Sequence, residues 1–282
     1  MRINTNVSSL NAQEAATNTN KTLSSSLEKL SSGLSINKAS DNASGLAIAD
    51  KLRTQATSIN QGVDNGNSAV SLLQIADKSM AEQSNILDTI KAKLVQANTS
   101  TTSADGRTSI AKDINKLLDQ LNNIAKQTNY NGTYLLQNSA TATTASATLS
   151  FQVGETSSDI ISASTIQSNV TGLGLTALKA SVNAGGLSSG GAGTFQTAID
   201  SAITTLNGYR GDVGSTQNQV ESAVRNLMTQ ATNISAAESV IRDVDYAAES
   251  ANFNKQNIIA QAGSYAISQA NSVQQNVLKL LQ

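Results

Sequence analysis

Proline is absent from all 282 residues, where average usage would supply roughly 14, so no pyrrolidine ring interrupts a helix anywhere along the chain. Cysteine is absent too, which excludes disulfides and thiolate chemistry but assigns no compartment. With no histidine either, the usual general base and the usual transition-metal ligands are missing together. The residues therefore offer no cofactor site and no metal site. Aromatics make up 3% and tryptophan is missing, too little bulk to fill a thick globular core. Charged residues reach only 14%, against a usual share of about 25%, and Ser, Thr, Asn and Gln take the polar positions. Such a surface is wet yet nearly free of like-charge repulsion, which suits subunits that pack against copies of themselves. A net charge of −1 without a basic stripe excludes a nucleic-acid footprint. No apolar run is long enough to span a membrane, and Met1 to Asn6 lacks the apolar segment of a cleaved secretory signal.

What is present is periodic. Leu52, Ile59, Gly66, Leu73, Met80, Leu87 and Leu94 sit seven apart, and Gly66 alone among them is not a large apolar residue. Ile199, Leu206, Val213, Val220, Leu227, Ile234 and Ile241 repeat that step without a gap. A second column, Phe195, Ala202, Tyr209, Thr216, Ala223, Gln230 and Ala237, falls four residues before each of these. Alternating steps of three and four keep one narrow stripe of a helix facing a partner, as in a coiled coil.

Length alone allows two compact domains, but the ladders predict long helices side by side. Residues 1 to about 36 form a thin amphipathic helix in which Leu23, Leu27, Leu30 and Leu34 step by four, three and four, with Ile3, Val7 and Leu10 upstream. A stripe this thin does not bury itself, and isolated helices are marginal in water. Residues 37–44 are a polar break with capping candidates. The helix over 45–97 would be roughly 80 Å long. Ile110, Ile114, Leu117, Leu121 and Ile124 mark a shorter helix folding back on it. Asn131-Gly132 is a turn signal, and Leu149, Phe151 and Val153 then alternate with polar residues as a strand entering a hairpin. Residues 137–193, rich in Ser, Thr, Ala and Gly, are read as the least helical part and the tip of the molecule.

The C-terminal ladder helix is expected over 195–238, with Gly208, Gly211 and Gly214 along one side. Either another backbone approaches there or the helix is locally loose. From 245 to 282 the stripe thins again: Ile259, Ala262, Ala266, Ala270, Val273 and Val277, then Leu280 or Leu281. The expected fold is mainly α, a long antiparallel helical hairpin and coiled-coil bundle with a small β-hairpin region at its tip. Its parts would be an N-terminal assembly helix and linker (1–44), N-terminal rod helices (45–136), hairpin and variable tip (137–193), a C-terminal rod helix (194–240) and a C-terminal assembly helix (241–282). The candidate self-assembly seam comprises the leucines, isoleucines, valines and methionine of these stripes and ladders.

Catalysis finds little support. Asp243 and Asp245 are the nearest carboxylate pair, but two residues apart on a helix they do not share a face, so a helix cap or polar contact is the better reading. Gly190-Gly191-Ala192-Gly193 lacks the preceding strand and following Lys-Ser/Thr of a phosphate loop. The expectation is a structural protein and no enzyme.

Several strings resemble the signatures of one family. Leu30-Ser31-Ser32-Gly33-Leu34, Ile36-Asn37 and Asp41-Asn42-Ala43-Ser44-Gly45-Leu46-Ala47-Ile48-Ala49 closely resemble the N-terminal signature of bacterial flagellins. Gln127-Thr128-Asn129-Tyr130-Asn131-Gly132 resembles the segment closing their N-terminal half. Ile241-Arg242-Asp243-Val244-Asp245-Tyr246-Ala247, Gln261-Ala262-Gly263 and Val277-Leu278-Lys279-Leu280-Leu281 look like their C-terminal signatures, in the right order. Ser35 stands where the family commonly has Arg, Asn42 where Asp is usual, and Gln274 where many members carry Pro; none removes a stripe position. The resemblance implies an extracellular subunit, exported unfolded through the flagellar channel, that polymerises into a hollow helical filament for swimming. It implies partners as well: copies of itself, an export chaperone, the filament cap and hook-junction proteins, but no nucleic acid and no membrane. A hook–filament junction protein or a secreted adhesin-like module are the alternatives. The resemblance also has a gap. Many flagellins are detected by a vertebrate Toll-like receptor through Arg-x-Arg-Glu-Leu-Ala-Val-Gln. Counting back from Val95-Gln96, Thr89 and Lys91 stand at the two Arg positions and Ala92 at the Glu position, which implies weak or absent recognition.

Overall fold

In the computed structural model, which describes residues 5–280, helix accounts for 73% of the chain. The elements run α1 (Val7–Ser32), α2 (Ala43–Asn98), α3 (Ala104–Gln127), β1 (Asn129–Tyr130), β2 (Thr133–Tyr134), β3 (Leu149–Gln152), β4 (Ile160–Ala163), α4 (Thr176–Asn183), α5 (Ser189–Arg242) and α6 (Tyr246–Leu280). Ile3 and Leu281 lie outside the described residues, as does the side chain of Val277.

Local chemistry sets the helix ends. The Asn6 side chain accepts from Ser9 N at the start of α1, and Gly33 closes it at φ 77°, its N–H reaching Lys29 O; a left-handed residue at this position favours glycine. The first helix thus stops at Ser32, short of the expected 36. Asn42 Oδ1 takes the Gly45 N–H at 2.9 Å at the start of α2, Ser103 caps α3, and Asp245 Oδ1 takes the N–H groups of Ala247 and Ala248 at the start of α6. The second ladder helix is longer than expected at both ends. It begins at Ser189, where Ser188 Oγ accepts from Gly191 N at 3.1 Å. The glycine-rich 190–193 string is therefore the first turn of a helix.

The β elements are two separate antiparallel pairs, β1 with β2 and β3 with β4. The first closes on Asn131 at φ 48° and Gly132 at φ 82°, left-handed values that a two-residue hairpin turn requires. In the second, Phe151 faces Ile161 and Leu149 faces Ala163.

The chain divides into two compact units, one formed by the stretches up to Ala56 and from Thr232 on, the other by Thr57–Ala231. The second holds the apolar core: Leu73, Met80, Leu87, Ile90 and Leu94 of α2, Ile114, Leu118 and Leu121 of α3, and Ile199, Leu206 and Val213 of α5. Each such Leu or Ile contributes about 1.5–3 kcal/mol when removed from water. The segment expected to be a variable tip supplies Leu175, Leu178, Val182 and Leu187 to this same core. Part of that segment is thus tied into the core: four apolar residues, three of them in or beside α4, are buried in spite of the Ser/Gly-rich composition around them.

In the other unit α1 and α6 lie antiparallel. The linker behind them is stitched by backbone bonds, Ser35 N to Arg242 O at 2.6 Å and Val244 N to Gly33 O at 3.0 Å. The terminal stripes are thus not partnerless within one chain. The pairing is thin, however: Ser26 is the one buried side chain among the described residues of α1 and α6.

Candidate assembly surfaces

The two ladders occupy the core of the second unit for most of their length. Ile59, Leu73, Met80, Leu87 and Leu94 of α2 are buried, and so are Ile199, Leu206, Val213, Val220 and Leu227 of α5. The gap at Gly66 has a specific filler. A Cβ there would collide with Val224 Cγ2, so the missing side chain is the slot that lets α5 approach α2. Gly62 similarly admits the β3 end of the chain, where a Cβ would fall 2.7 Å from Val153 O. Among the described residues, nothing outside the helix itself lies within 4 Å of a Cβ built on Gly208, Gly211 or Gly214, so no other segment of the same chain approaches them.

Ion pairs flank the α2 and α5 seam: Arg210 Nε to Asp77 at 2.9 Å, and Lys91 to Asp200. Lys93 meets Asp113 of α3 at 2.8 Å and Lys179 of α4 meets Asp119 at 2.6 Å. Partly exposed pairs of this kind are worth little individually, but they fix which polar faces oppose. Of the diverged receptor-segment residues, Lys91 is thus engaged by Asp200, Thr89 donates to Asn85 O at 2.9 Å, and Ala92 is exposed.

Several buried polar residues escaped the sequence reading, Gln83 among them. Gln83 sits in a second column of α2, between Ala76 and Ile90, fully buried. Its Nε2 donates to Leu121 O at 3.1 Å and Ser168 O at 3.0 Å. It ties α2 to α3 and to the loop after β4. The signal was legible: Ala69, Ala76, Gln83, Ile90 and Ala97 also step by seven, and all are buried.

Placement differs in the unit of the chain ends. Leu23, Leu30 and Leu34 are half-buried, as are Leu52, Ile234 and Ile241, whereas Leu27 is 57% exposed. Ile259 and Val273 are exposed, together with Ala262 and Ala266. The stripe of α6 turned to α1 is instead Asn252, Phe253, Ala260, Gly263, Ile267 and Ala270, about a quarter turn around the helix at 100° per residue. Of the described side chains of the expected stripe, Ala270 is turned to α1, whereas Ile259, Ala262, Ala266 and Val273 are exposed. Apolar residues left outward include Val7 and Leu10 on α1 and Ile258, Tyr265 and Val273 on α6.

The linker carries its own electrostatics. Asp41 accepts the N–H groups of Lys38 and Asn37, and these bonds hold its carboxyl below the usual carboxylate range. Glu28, hydrogen-bonded to the Lys38 ammonium, raises that group above its ordinary value. Asp243 accepts from Ser239 Oγ at 2.6 Å, and Asp245 is a helix cap, so both carboxylates have structural contacts. Among the described residues no acidic, His or Cys cluster could hold a metal, and no helix is long and apolar enough to cross a membrane.

Two family models match the chain: the bacterial flagellin N-terminal helical region over residues 3–141 and the bacterial flagellin C-terminal helical region over 196–281. Flagellin B of Helicobacter pylori is 43% identical over 189 residues, covering 64% of this chain and 37% of that protein. The chain thus spans little more than a third of the length of that relative. Flagellin of Bacillus subtilis is 34% identical, with all of both chains covered. A solved structure from Vibrio parahaemolyticus, described as a flagellar hook-associated protein, shares the fold at a TM-score of 0.58 and 12% identity, over 72% of this chain and 99% of that one.

Proposed function

The chain belongs to the bacterial flagellin family, and on that premise we propose that it is the structural subunit that self-polymerises into the hollow helical filament of a bacterial flagellum. The observation that carries the reading is the apolar surface left outward on the paired end helices. Val7, Leu10 and Leu27 of α1 and Ile258, Tyr265 and Val273 of α6 are each more than half exposed. Exposed apolar residues clustered on one element mark surfaces that another protein covers, and here copies of the same chain are the occupant. The rod unit supplies stiffness, since its core is filled from α2, α3 and α5 together.

By the same premise the subunit works outside the cell, reached through the flagellar export channel, with an export chaperone, the filament cap and hook-junction proteins as its partners. The family is a structural one. The hook–filament junction reading is less favoured: the hook-associated neighbour shares the fold at 12% identity, whereas a flagellin matches end to end at 34%. Salt-induced assembly of the purified chain followed by electron microscopy tests the proposal. Long hollow filaments are expected, and a chain that stays monomeric under every precipitating condition sinks it in favour of the junction or adhesin-like alternatives.

A further inference from the structure

The α6 helix carries two candidate faces, and hydrophobicity alone would choose the wrong one. Among the described side chains, the outward face bears Ile258, Ile259, Tyr265 and Val273, whereas the face on α1 has Phe253 and Ile267 as its large apolar residues, beside Ala260, Gly263 and Ala270. Burial of apolar area would favour turning the first face inward. Something other than apolar area therefore orients the helix.

Polar atoms provide it at both ends of the pair. Near the linker, buried Ser26 donates its hydroxyl to Glu249 Oε1, and Asn252 Nδ2 approaches the same Ser26 oxygen at 3.4 Å. At the far end, Asn6 Nδ2 donates to Ala270 O at 3.1 Å. Between them Gly263 lets the backbones close up, a Cβ there lying 3.8 Å from Ala16 Cβ. Glu249, Asn252, Gly263 and Ala270 fall within one narrow sector of α6 at 100° per residue. Rotating α6 by about a third of a turn would bring Ile258, Ile259, Tyr265 and Val273 towards α1 but would strand the Glu249 carboxylate and the Ser26 hydroxyl without each other. Leaving a half-buried charged group unpartnered outweighs a modest gain in apolar area.

We propose that Asn6 and Ser26 are positioning residues that select which face of α6 meets α1, and so keep the more apolar face outward. The role parallels a single polar residue fixing the alignment of a coiled coil at some expense in stability. It is a property of the pair within one chain, and it specifies which surface the filament reading has available.

The absence of cysteine makes the test direct. Full-length chains carry Ala16→Cys with Gly263→Cys, where the Cβ separation suits a disulfide, or Ala16→Cys with Ala262→Cys or Ala266→Cys, which sit on the outward face. Intramolecular crosslinks are scored on denaturing gels of pelleted polymer. With Asn6 and Ser26 intact, the 16–263 bridge should exceed the other two by about tenfold or more. In an Asn6→Ala, Ser26→Ala background that preference should fall below about twofold or reverse, while helicity by circular dichroism is retained. Ser26→Thr, which keeps the hydroxyl, should restore it. An undiminished 16–263 preference in the double variant overturns the proposal. So does loss of helicity with no crosslink at any pair, because the contacts would then maintain stability and not choice of face. If the cysteine-free chain itself pellets no polymer, the filament reading fails, and gels of the soluble variants still score the face, because oxidation traps whichever face meets α1 whenever the end helices pair.

Discussion

A glycine in the middle of a helix has two quite different meanings in this chain. At Gly66 the vacancy is filled by Val224 of α5, so Gly66→Ala should destabilise by about 1–3 kcal/mol through overpacking, in spite of alanine's better helix propensity. At Gly208, Gly211 and Gly214 the space is open, and each Gly→Ala change there should stabilise by about 0.5–1 kcal/mol. Urea midpoints of the four single variants check this, and the sign should differ between the first and the other three. The receptor segment is also decided residue by residue. Arg presents a planar five-donor fork that Thr89 and Lys91 do not reproduce, and Ala92 removes a carboxylate acceptor. Lys91 is moreover engaged by Asp200. Losing anchors of this kind commonly costs more than about 2 kcal/mol each, so a Toll-like receptor reporter should respond weakly or not at all; activation at the low doses typical of responsive flagellins would refute this.

At the scale of the element, α1 and α6 contrast with the ladder helices. Each is long, capped and free of proline, yet the pair buries no apolar side chain fully among its described residues. Helices in water depend on a buried face for most of their stability. The termini should therefore be readily cleaved in the monomer and protected in the polymer, where neighbouring copies cover the outward apolar residues. Limited proteolysis of the two states measures it, with cuts in 5–32 and 246–280 expected first; equal resistance of both states would count against coupled ordering. In the ladder helices the reverse holds, since α2 and α5 share the core with α3 and α4.

For the whole molecule, the core of the rod unit and the surface of its connections should separate cleanly in swimming assays. Leu87→Asp or Leu227→Asp puts an unpaired charge among buried residues, costing about 3 kcal/mol or more, and should abolish motility. Ser188→Asp, at an exposed capping position that aspartate also serves, should leave motility intact. Equal swimming by both kinds of variant would refute the distinction between seam and surface.

The seven-residue ladders, the capping candidates in 37–44 and at Asp245, the turn at Asn131-Gly132 and the strand alternation at 149–153 were all legible in the sequence, because each depends on neighbours a few positions away. The family strings were legible for the same reason. Which face of α6 turns inward was not. Periodicity describes a helix's own apolar stripe, whereas the choice rests on Ser26 and Asn6, more than 200 residues distant along the chain. Gly66 likewise read as an interruption until Val224 stood against it. The burial of Leu175, Leu178 and Val182 was hidden by polar composition, since a short helix carries too few turns to show a period. Sequence determined what each helix can offer; the tertiary structure decided which offer is taken up, because burial and polar pairing are settled only where distant segments meet.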